Sequence, residues 1–144
     1  MKKEFLTYDQ ALALRKLGFD EPCIAKYTRD DNQNIFWLRI SESSVDMNKK
    51  TQTYGKPVNY NTSIYWSEGT ISAPTYSQAF RWFREKHKLV VNQERDGGWW
   101  IFTIKDIYDE DEQGAIDTNI DPILEDTYEE AESACINKLI EKLS

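Results

Sequence analysis

Three stretches of the chain space their apolar residues three and four positions apart, which is typical of amphipathic helices. They cover residues 8–17, 76–88 and 128–143. Each begins just after a threonine that stands three residues ahead of Gln or Glu, at Thr7, Thr75 and Thr127. The threonine hydroxyl can accept a hydrogen bond from the third helical N–H, and the Gln or Glu can reach back to the threonine N–H. These capping boxes predict where three helices begin. Gly18 should end the first helix, with Phe19 folding back towards Leu14.

Strand-forming stretches rich in aromatic and β-branched residues occupy the positions between these helices. They are residues 23–27, 35–40, 63–67, 89–94 and 99–104. The dipeptide Asp96-Gly97 separates the last two and favours a tight hairpin turn with two positive φ angles. The predicted order is therefore α-β-β-β-α-β-β-α.

This order predicts an α+β fold. Strands that follow one another without a helix between them favour antiparallel pairing, and helices with one apolar side need a sheet to cover. We expect three helices packed on an antiparallel sheet of about four to five strands. The chain length of 144 residues suits one domain, residues 1–144, with a long polar loop at 41–60 and an acidic loop at 106–126.

The composition indicates a folded protein of the cytoplasm. Aromatic residues make up 13% of the chain, whereas disordered chains are poor in them. No apolar run is long enough for a membrane span, and the N-terminus lacks the apolar region of a secretory signal, so we expect no membrane association. Cys23 and Cys135 form no CxxC pair and are predicted to be buried thiols.

The net charge of −7 is distributed unevenly along the chain. Residues 1–95 hold 15 Lys and Arg against 11 Asp and Glu, a balance of +4, whereas residues 96–144 hold 3 against 14, a balance of −11. The two parts could attract each other or face different partners. The overall acidity argues against nucleic-acid affinity based on phosphate neutralisation.

The sequence contains no motif that indicates a common catalytic chemistry, and its many carboxylates are expected in an acid-rich chain. His87 is the single histidine and no GxSxG motif accompanies it, so histidine-based catalysis has little support. One histidine and two distant cysteines cannot complete an ordinary structural zinc site, and no glycine-rich phosphate loop follows a strand. We expect no enzymatic activity, no cofactor and no small-molecule substrate.

The acidic stretch 109–120 partly matches a twelve-residue calcium loop. Asp109, Asp111 and Asp117 fall at oxygen-ligand positions, but Ile120 stands where the bidentate glutamate is needed. A solvated acidic loop is the favoured interpretation, adventitious calcium binding the weaker one, and no metal site is predicted.

Aromatic residues of the predicted sheet are the best candidates for an interface. Trp99 and Trp100 are adjacent in a strand, so their side chains point to opposite faces, and one must either lie under a helix or be exposed. A sheet covered on both sides is the equally weighted alternative. With these aromatics we group nearby cations, giving a candidate interface of Trp99, Trp100, Trp66, Tyr65, Arg81, Arg84 and Lys88.

The helix at 76–88 mixes cations with aromatics, a combination found in proteins that bind single-stranded nucleic acid. A helix, however, separates the two kinds of residue: Trp82 and Phe83 should turn inward while Arg81 and Arg84 face solvent. An ordinary amphipathic helix is the preferred interpretation, and nucleic-acid binding through Arg81, Arg84, Lys86 and Lys88 is the alternative.

Three blocks of the sequence resemble small proteins encoded by phages and prophages of Bacteroidetes-type bacteria. The blocks are residues 17–23, 72–86 and 128–140, about a quarter of the chain. The resemblance implies an intracellular, phage-borne or prophage-borne protein and no particular activity. Our leading hypothesis is a non-enzymatic protein-binding or self-associating module. The alternatives are a nucleic-acid-binding accessory protein that uses the basic helix 76–88, and an acidic nucleic-acid mimic that binds a basic host protein.

Overall fold

The computed structural model describes residues 2–29, 36–40, 60–61, 70–107 and 122–144. The chain divides into two compact units, Met1–Thr75 and Tyr76–Ser144. That residues 1–144 form a single domain remains a prediction. No helix in the described ranges is long and apolar enough to cross a membrane.

The first unit contains one α-helix and a three-stranded antiparallel sheet. Its elements are a short 3-10 helix at Lys2–Glu4, α1 at Tyr8–Lys16, β1 at Ala25–Arg29, β2 at Phe36–Ile40 and β3 at Ile71–Ser72. β1 lies in the centre with β2 and β3 on either side, both antiparallel to it.

Helix α1 begins and ends as the sequence predicts. The Thr7 N–H donates to Gln10 Oε1 at 3.1 Å, and the Gln10 N–H donates to Thr7 Oγ1 at 3.3 Å, which completes the capping box. Gly18 has φ of 93°, and the Phe19 N–H donates to the Leu14 carbonyl at 2.9 Å. This pair of features is the C-terminal Schellman arrangement, in which glycine adopts the left-handed conformation without steric cost.

The core of the first unit lies between its N-terminal segment and the sheet. Phe5, Ala25 and Ala73 form a buried cluster, and the partly buried Tyr27 and Leu38 pack against it. The Tyr27 hydroxyl donates to the Leu6 carbonyl at 2.7 Å. Residues 5–6 of the N-terminal segment are therefore held against the sheet by both apolar packing and a hydrogen bond.

Asn61 joins two parts of this unit that are distant in sequence. Its Nδ2 donates to the Phe19 carbonyl at 2.8 Å, and its Oδ1 accepts from the Ser72 N–H at 2.9 Å. Ser72 and Phe19 are almost completely buried, so these backbone groups depend on a protein partner in place of water. One amide side chain thus provides hydrogen-bond partners for two backbone groups: the Ser72 N–H of β3 and the carbonyl of Phe19, which follows the end of α1.

The second unit packs two helices on another three-stranded antiparallel sheet. Its elements are α2 at Tyr76–His87, β4 at Leu89–Asp96, β5 at Trp99–Asp106, β6 at Ile123–Glu125 and α3 at Tyr128–Leu143. The strand order is β4-β5-β6. Helix α2 contacts β4 and α3, and α3 also contacts β5 and β6. The core includes Trp82 and Phe83 of α2, Phe102 and Ile104 of β5, and Cys135, Ile136 and Leu139 of α3.

The hairpin between β4 and β5 forms, but its turn is one residue later than predicted. Asp96 pairs with Trp99, so the loop consists of Gly97 and Gly98 alone. Gly97 has φ of 59°, and Gly98 is not in the positive region. A glycine at the first central position is the requirement of a type II′ turn. Because Gly97 and Gly98 occupy both turn positions, Asp96 does not have to adopt a positive φ and instead forms the last residue of β4.

The α+β class is confirmed, whereas the single sheet of four to five strands is not. The described strands form two sheets, because β1 and β5 each pair on both sides within their own units. The predicted order omits β6, which is only three residues long and follows Pro122, too short for alternation to be recognised. The predicted strand at 63–67, most of the polar loop at 41–60 and most of the acidic loop at 106–126 lie outside the described residues.

Candidate interaction surface

The two faces of the second sheet are covered to different extents. Alternation along the strands places Gln93 and Arg95 of β4 on the same face as Trp100 and Phe102 of β5. The ring of Tyr128, the first residue of α3, lies edge-on to Trp100 at 5.1 Å between centroids and 5.7 Å from Phe102. Helix α3 therefore packs on this face, which we call the covered face.

The opposite face, which we call the outer face, carries the alternate residues. They are Val90, Asn92, Glu94 and Asp96 of β4, Trp99, Ile101, Thr103 and Lys105 of β5, and Leu124 of β6. Trp99 is 51% exposed and Leu124 is 53% exposed. Because both side chains lie on the same face, they leave apolar area there that a partner can still bury.

Three of these apolar residues are neighbours in the strand register. Ile101 lies directly opposite Leu124 in the register of β5 and β6, and Trp99 is two residues along β5 from Ile101 on the same face. Directly opposed residues have Cβ atoms about 5 Å apart, and diagonal neighbours are about 7–8 Å apart, within reach of a tryptophan ring. We call Trp99, Ile101 and Leu124 the Trp99 patch.

Two carboxylates border the Trp99 patch on the side of β4. Glu94 pairs with Ile101 and Asp96 pairs with Trp99, so both carboxylates belong to the outer face, and both are exposed. Lys105, the cation of β5 on the same face, pairs with Val90. It is four residues from Ile101, roughly 13 Å along the strand. The immediate surroundings of the Trp99 patch are therefore acidic.

Trp100 has a different environment from Trp99. It is half-buried on the covered face, with Tyr128 against its edge and the Arg95 guanidinium over its ring at 5.5 Å from the centroid. Of the two arrangements that the sequence leaves open, the structure has one tryptophan under a helix and the other exposed. Trp99 and Trp100 therefore cannot contribute to the same surface.

The remaining residues of the predicted interface are scattered. Arg81 and Arg84 are exposed on α2, and Lys88 is half-buried with φ of 57°. The Lys88 Nζ donates to the Glu85 carbonyl at 3.1 Å, an interaction local to the end of α2. Trp66 and Tyr65 lie outside the described residues. Of the predicted set, only Trp99 lies on the outer face in the part of the chain that is described.

A polar chain that the sequence analysis missed borders the covered face. The Tyr128 hydroxyl accepts a hydrogen bond from Gln93 and donates to the Glu132 carboxylate. Partial burial raises the pKa of both Tyr128 and Glu132 above their ordinary values. The spacing of four residues on a predicted helix could have indicated the Tyr128–Glu132 pair. The participation of Gln93 depends on tertiary packing.

Burial shifts the pKa values of Cys135 and His87, two titratable groups among the described residues of the second unit. Burial, with the nearby Glu132 charge, raises the pKa of the Cys135 thiol to about 12, so it is a thiol and not a thiolate at neutral pH. Burial lowers the pKa of His87, although the dipole at the C-terminal end of α2 favours the protonated form. Among the described residues, no group of three or more His, Cys, Asp or Glu could hold a metal ion.

Comparison of the chain with protein-family models, curated proteins and solved structures gives no significant match. The resemblance to phage-encoded and prophage-encoded proteins stays a prediction. Inference about function therefore depends on the outer face and its charges.

Proposed function

We propose that the protein is a non-enzymatic binding module that docks a partner protein on the outer face of its second sheet. The observation that carries this proposal is the Trp99 patch, where two large apolar side chains, Trp99 and Leu124, are each about half exposed on one regular sheet. Tryptophan is enriched at the energetic centres of protein interfaces, because it buries a large area with few rotatable bonds.

The Trp99 patch has enough apolar surface for a measurable contribution to affinity. Burying a large apolar side chain completely contributes about 1.5–3 kcal/mol, so covering two half-exposed side chains contributes roughly 1.5–3 kcal/mol together. That corresponds to about a 10- to 150-fold change in the dissociation constant. The strands that hold these residues are paired antiparallel, so little backbone ordering is required on binding.

A different protein suits this surface better than a second copy of the chain. Self-association through the Trp99 patch would bring Glu94 and Asp96 of both copies into one interface. Like charges placed together in an interface oppose association. The proposed partner is therefore heterologous, in the intracellular, phage-derived setting that the sequence resemblance implies.

The proposal can be tested by capturing proteins from a bacterial lysate and measuring the purified partner by calorimetry. The test variant is Trp99→Thr with Leu124→Thr, which keeps residues that favour strands. The control is Ile107→Thr with Ile24→Thr, which removes two other exposed apolar side chains. The test variant should weaken binding about 10-fold or more, and the control should bind like wild type. Equal binding of all three proteins, or a dimer that the test variant abolishes, would contradict the proposal.

Nucleic-acid binding through α2 is the second candidate, because Arg81, Arg84 and Lys86 are all exposed on that helix. The charge of the surrounding unit opposes it: residues 76–144 hold 8 Lys and Arg against 16 Asp and Glu, a balance of −8. Retention on single-stranded DNA at low salt that Arg81→Gln with Arg84→Gln abolishes would favour this candidate.

A further inference from the structure

We propose that the partner presents an apolar side chain flanked by Lys or Arg to the Trp99 patch. This inference rests on the proposed function and names the chemistry of the partner. It follows from the pairing of apolar and acidic residues on the outer face, where each of two β5 side chains of the Trp99 patch has a carboxylate directly across from it.

Because of the register of β4 and β5, a partner that covers the Trp99 patch also comes close to Glu94 and Asp96. Glu94 is opposite Ile101 and Asp96 is opposite Trp99, so the paired Cβ atoms are about 5 Å apart. A partner side chain seated between Trp99 and Ile101 therefore places its neighbours within a few ångströms of two negative charges. Cationic neighbours would be attracted and anionic neighbours repelled.

The distances decide which charges on the outer face matter. Interactions of exposed charges are screened over about 8 Å at physiological ionic strength. Glu94 and Asp96 lie within this distance of the Trp99 patch, while Lys105 is roughly 13 Å from Ile101 along the strand. The potential at the patch is therefore set by the two carboxylates.

Neither carboxylate is neutralised within the part of the chain that the structure describes. Glu94 and Asp96 are exposed and have no ion-pair partner among those residues. The nearest cation in sequence, Arg95, is directed to the covered face and lies over Trp100. At low ionic strength, where screening extends farther, the charge balance of −8 for residues 76–144 adds a field of the same sign. A cationic partner would therefore associate faster through electrostatic steering and would be attracted by the two carboxylates in the complex.

The inference can be tested with two synthetic peptides that share the same tryptophan and leucine residues. One carries lysine and the other glutamate at every remaining position. Their dissociation constants for the full chain are measured by calorimetry or fluorescence anisotropy at low and high ionic strength. We expect the lysine peptide to bind at least about tenfold more tightly than the glutamate peptide, with a difference that shrinks as salt increases.

Variants separate the charge from the apolar contact. Glu94→Gln with Asp96→Asn should weaken the lysine peptide about three- to tenfold, whereas Glu85→Gln with Glu129→Gln, which removes the same charge from two exposed helix positions, should leave it unchanged. Equal weakening by both pairs, equal affinity of the two peptides, or binding of neither peptide would overturn the inference.

The proposed function has a separate readout. Suppose that Trp99→Thr with Leu124→Thr abolishes binding of both peptides while the Glu94 and Asp96 substitutions change neither dissociation constant. The proposed docking surface would then be supported, and the proposed positive charge of the partner would be contradicted. If the Trp99 and Leu124 substitutions leave peptide binding unchanged, the surface itself is wrong. Circular dichroism of each variant verifies that the fold is retained.

Discussion

Replacing Asn61 with alanine should destabilise the first unit more than its half-buried position suggests. The substitution removes the bonds of 2.8 Å to the Phe19 carbonyl and 2.9 Å from the Ser72 N–H. Phe19 is 2% exposed and Ser72 is 0% exposed, so water cannot readily replace the lost partner. A buried polar group left without its partner costs about 1–3 kcal/mol, so two such groups cost about 2–6 kcal/mol.

Hydrogen exchange of the Ser72 amide measures this loss of stability directly, because the Ser72 N–H donates to Asn61 Oδ1. If exchange proceeds through unfolding, a loss of about 2–6 kcal/mol should accelerate it about 30- to 20,000-fold. Asn92→Ala provides a control of the same chemistry on β4, and it should change stability by less than about 0.5 kcal/mol. An Asn61→Ala protein whose Ser72 amide exchanges at the wild-type rate would refute the role of Asn61 as a bridge.

Three further predictions concern the second unit. Lys88 has φ of 57°, so Lys88→Gly should raise the free energy of unfolding by about 0.5–1 kcal/mol in urea, while Lys88→Ala, which keeps the Cβ, should not. Burial against Trp82 and Phe83 lowers the pKa of His87 below its ordinary value of 6.5. Because the unfolded chain then binds more protons than the folded one, the free energy of unfolding should fall as the pH drops below about 6.5. His87→Gln should remove this component of the pH dependence in urea titrations. Cys135, with a pKa of about 12, should react with a thiol reagent only after denaturation, and rapid reaction of the native protein would contradict its burial.

Helices and their boundaries could be predicted from the sequence, because the signals that set them are local. Thr7 and Gln10 form the predicted capping box, and the last helix spans Tyr128–Leu143 as its pattern indicates. The sheets could not be predicted in the same way. Strand β3 has two residues and β6 has three, and such short strands are defined by the strand beside them, since alternation needs more residues to be visible.

The candidate surface was only partly predictable for a related reason. Adjacent tryptophans in a strand must point to opposite faces, so the sequence could show that Trp99 and Trp100 differ but not which is covered. That choice depends on where α3 packs, and the contact of Tyr128 with Trp100 decides it. Leu124, Glu94 and Asp96 join the surface through strand register, which is set by tertiary pairing.

The indole N–H signals in a two-dimensional NMR spectrum give the most direct test of the central claim that the outer face is the docking surface. Titration with the lysine peptide should shift or broaden the Trp99 signal, assigned by its loss in Trp99→Thr. The Trp100 and Trp82 signals should stay in place, since these side chains lie under Tyr128 and in the core. A shift of the Trp100 or Trp82 signal with that of Trp99 unmoved would contradict the account.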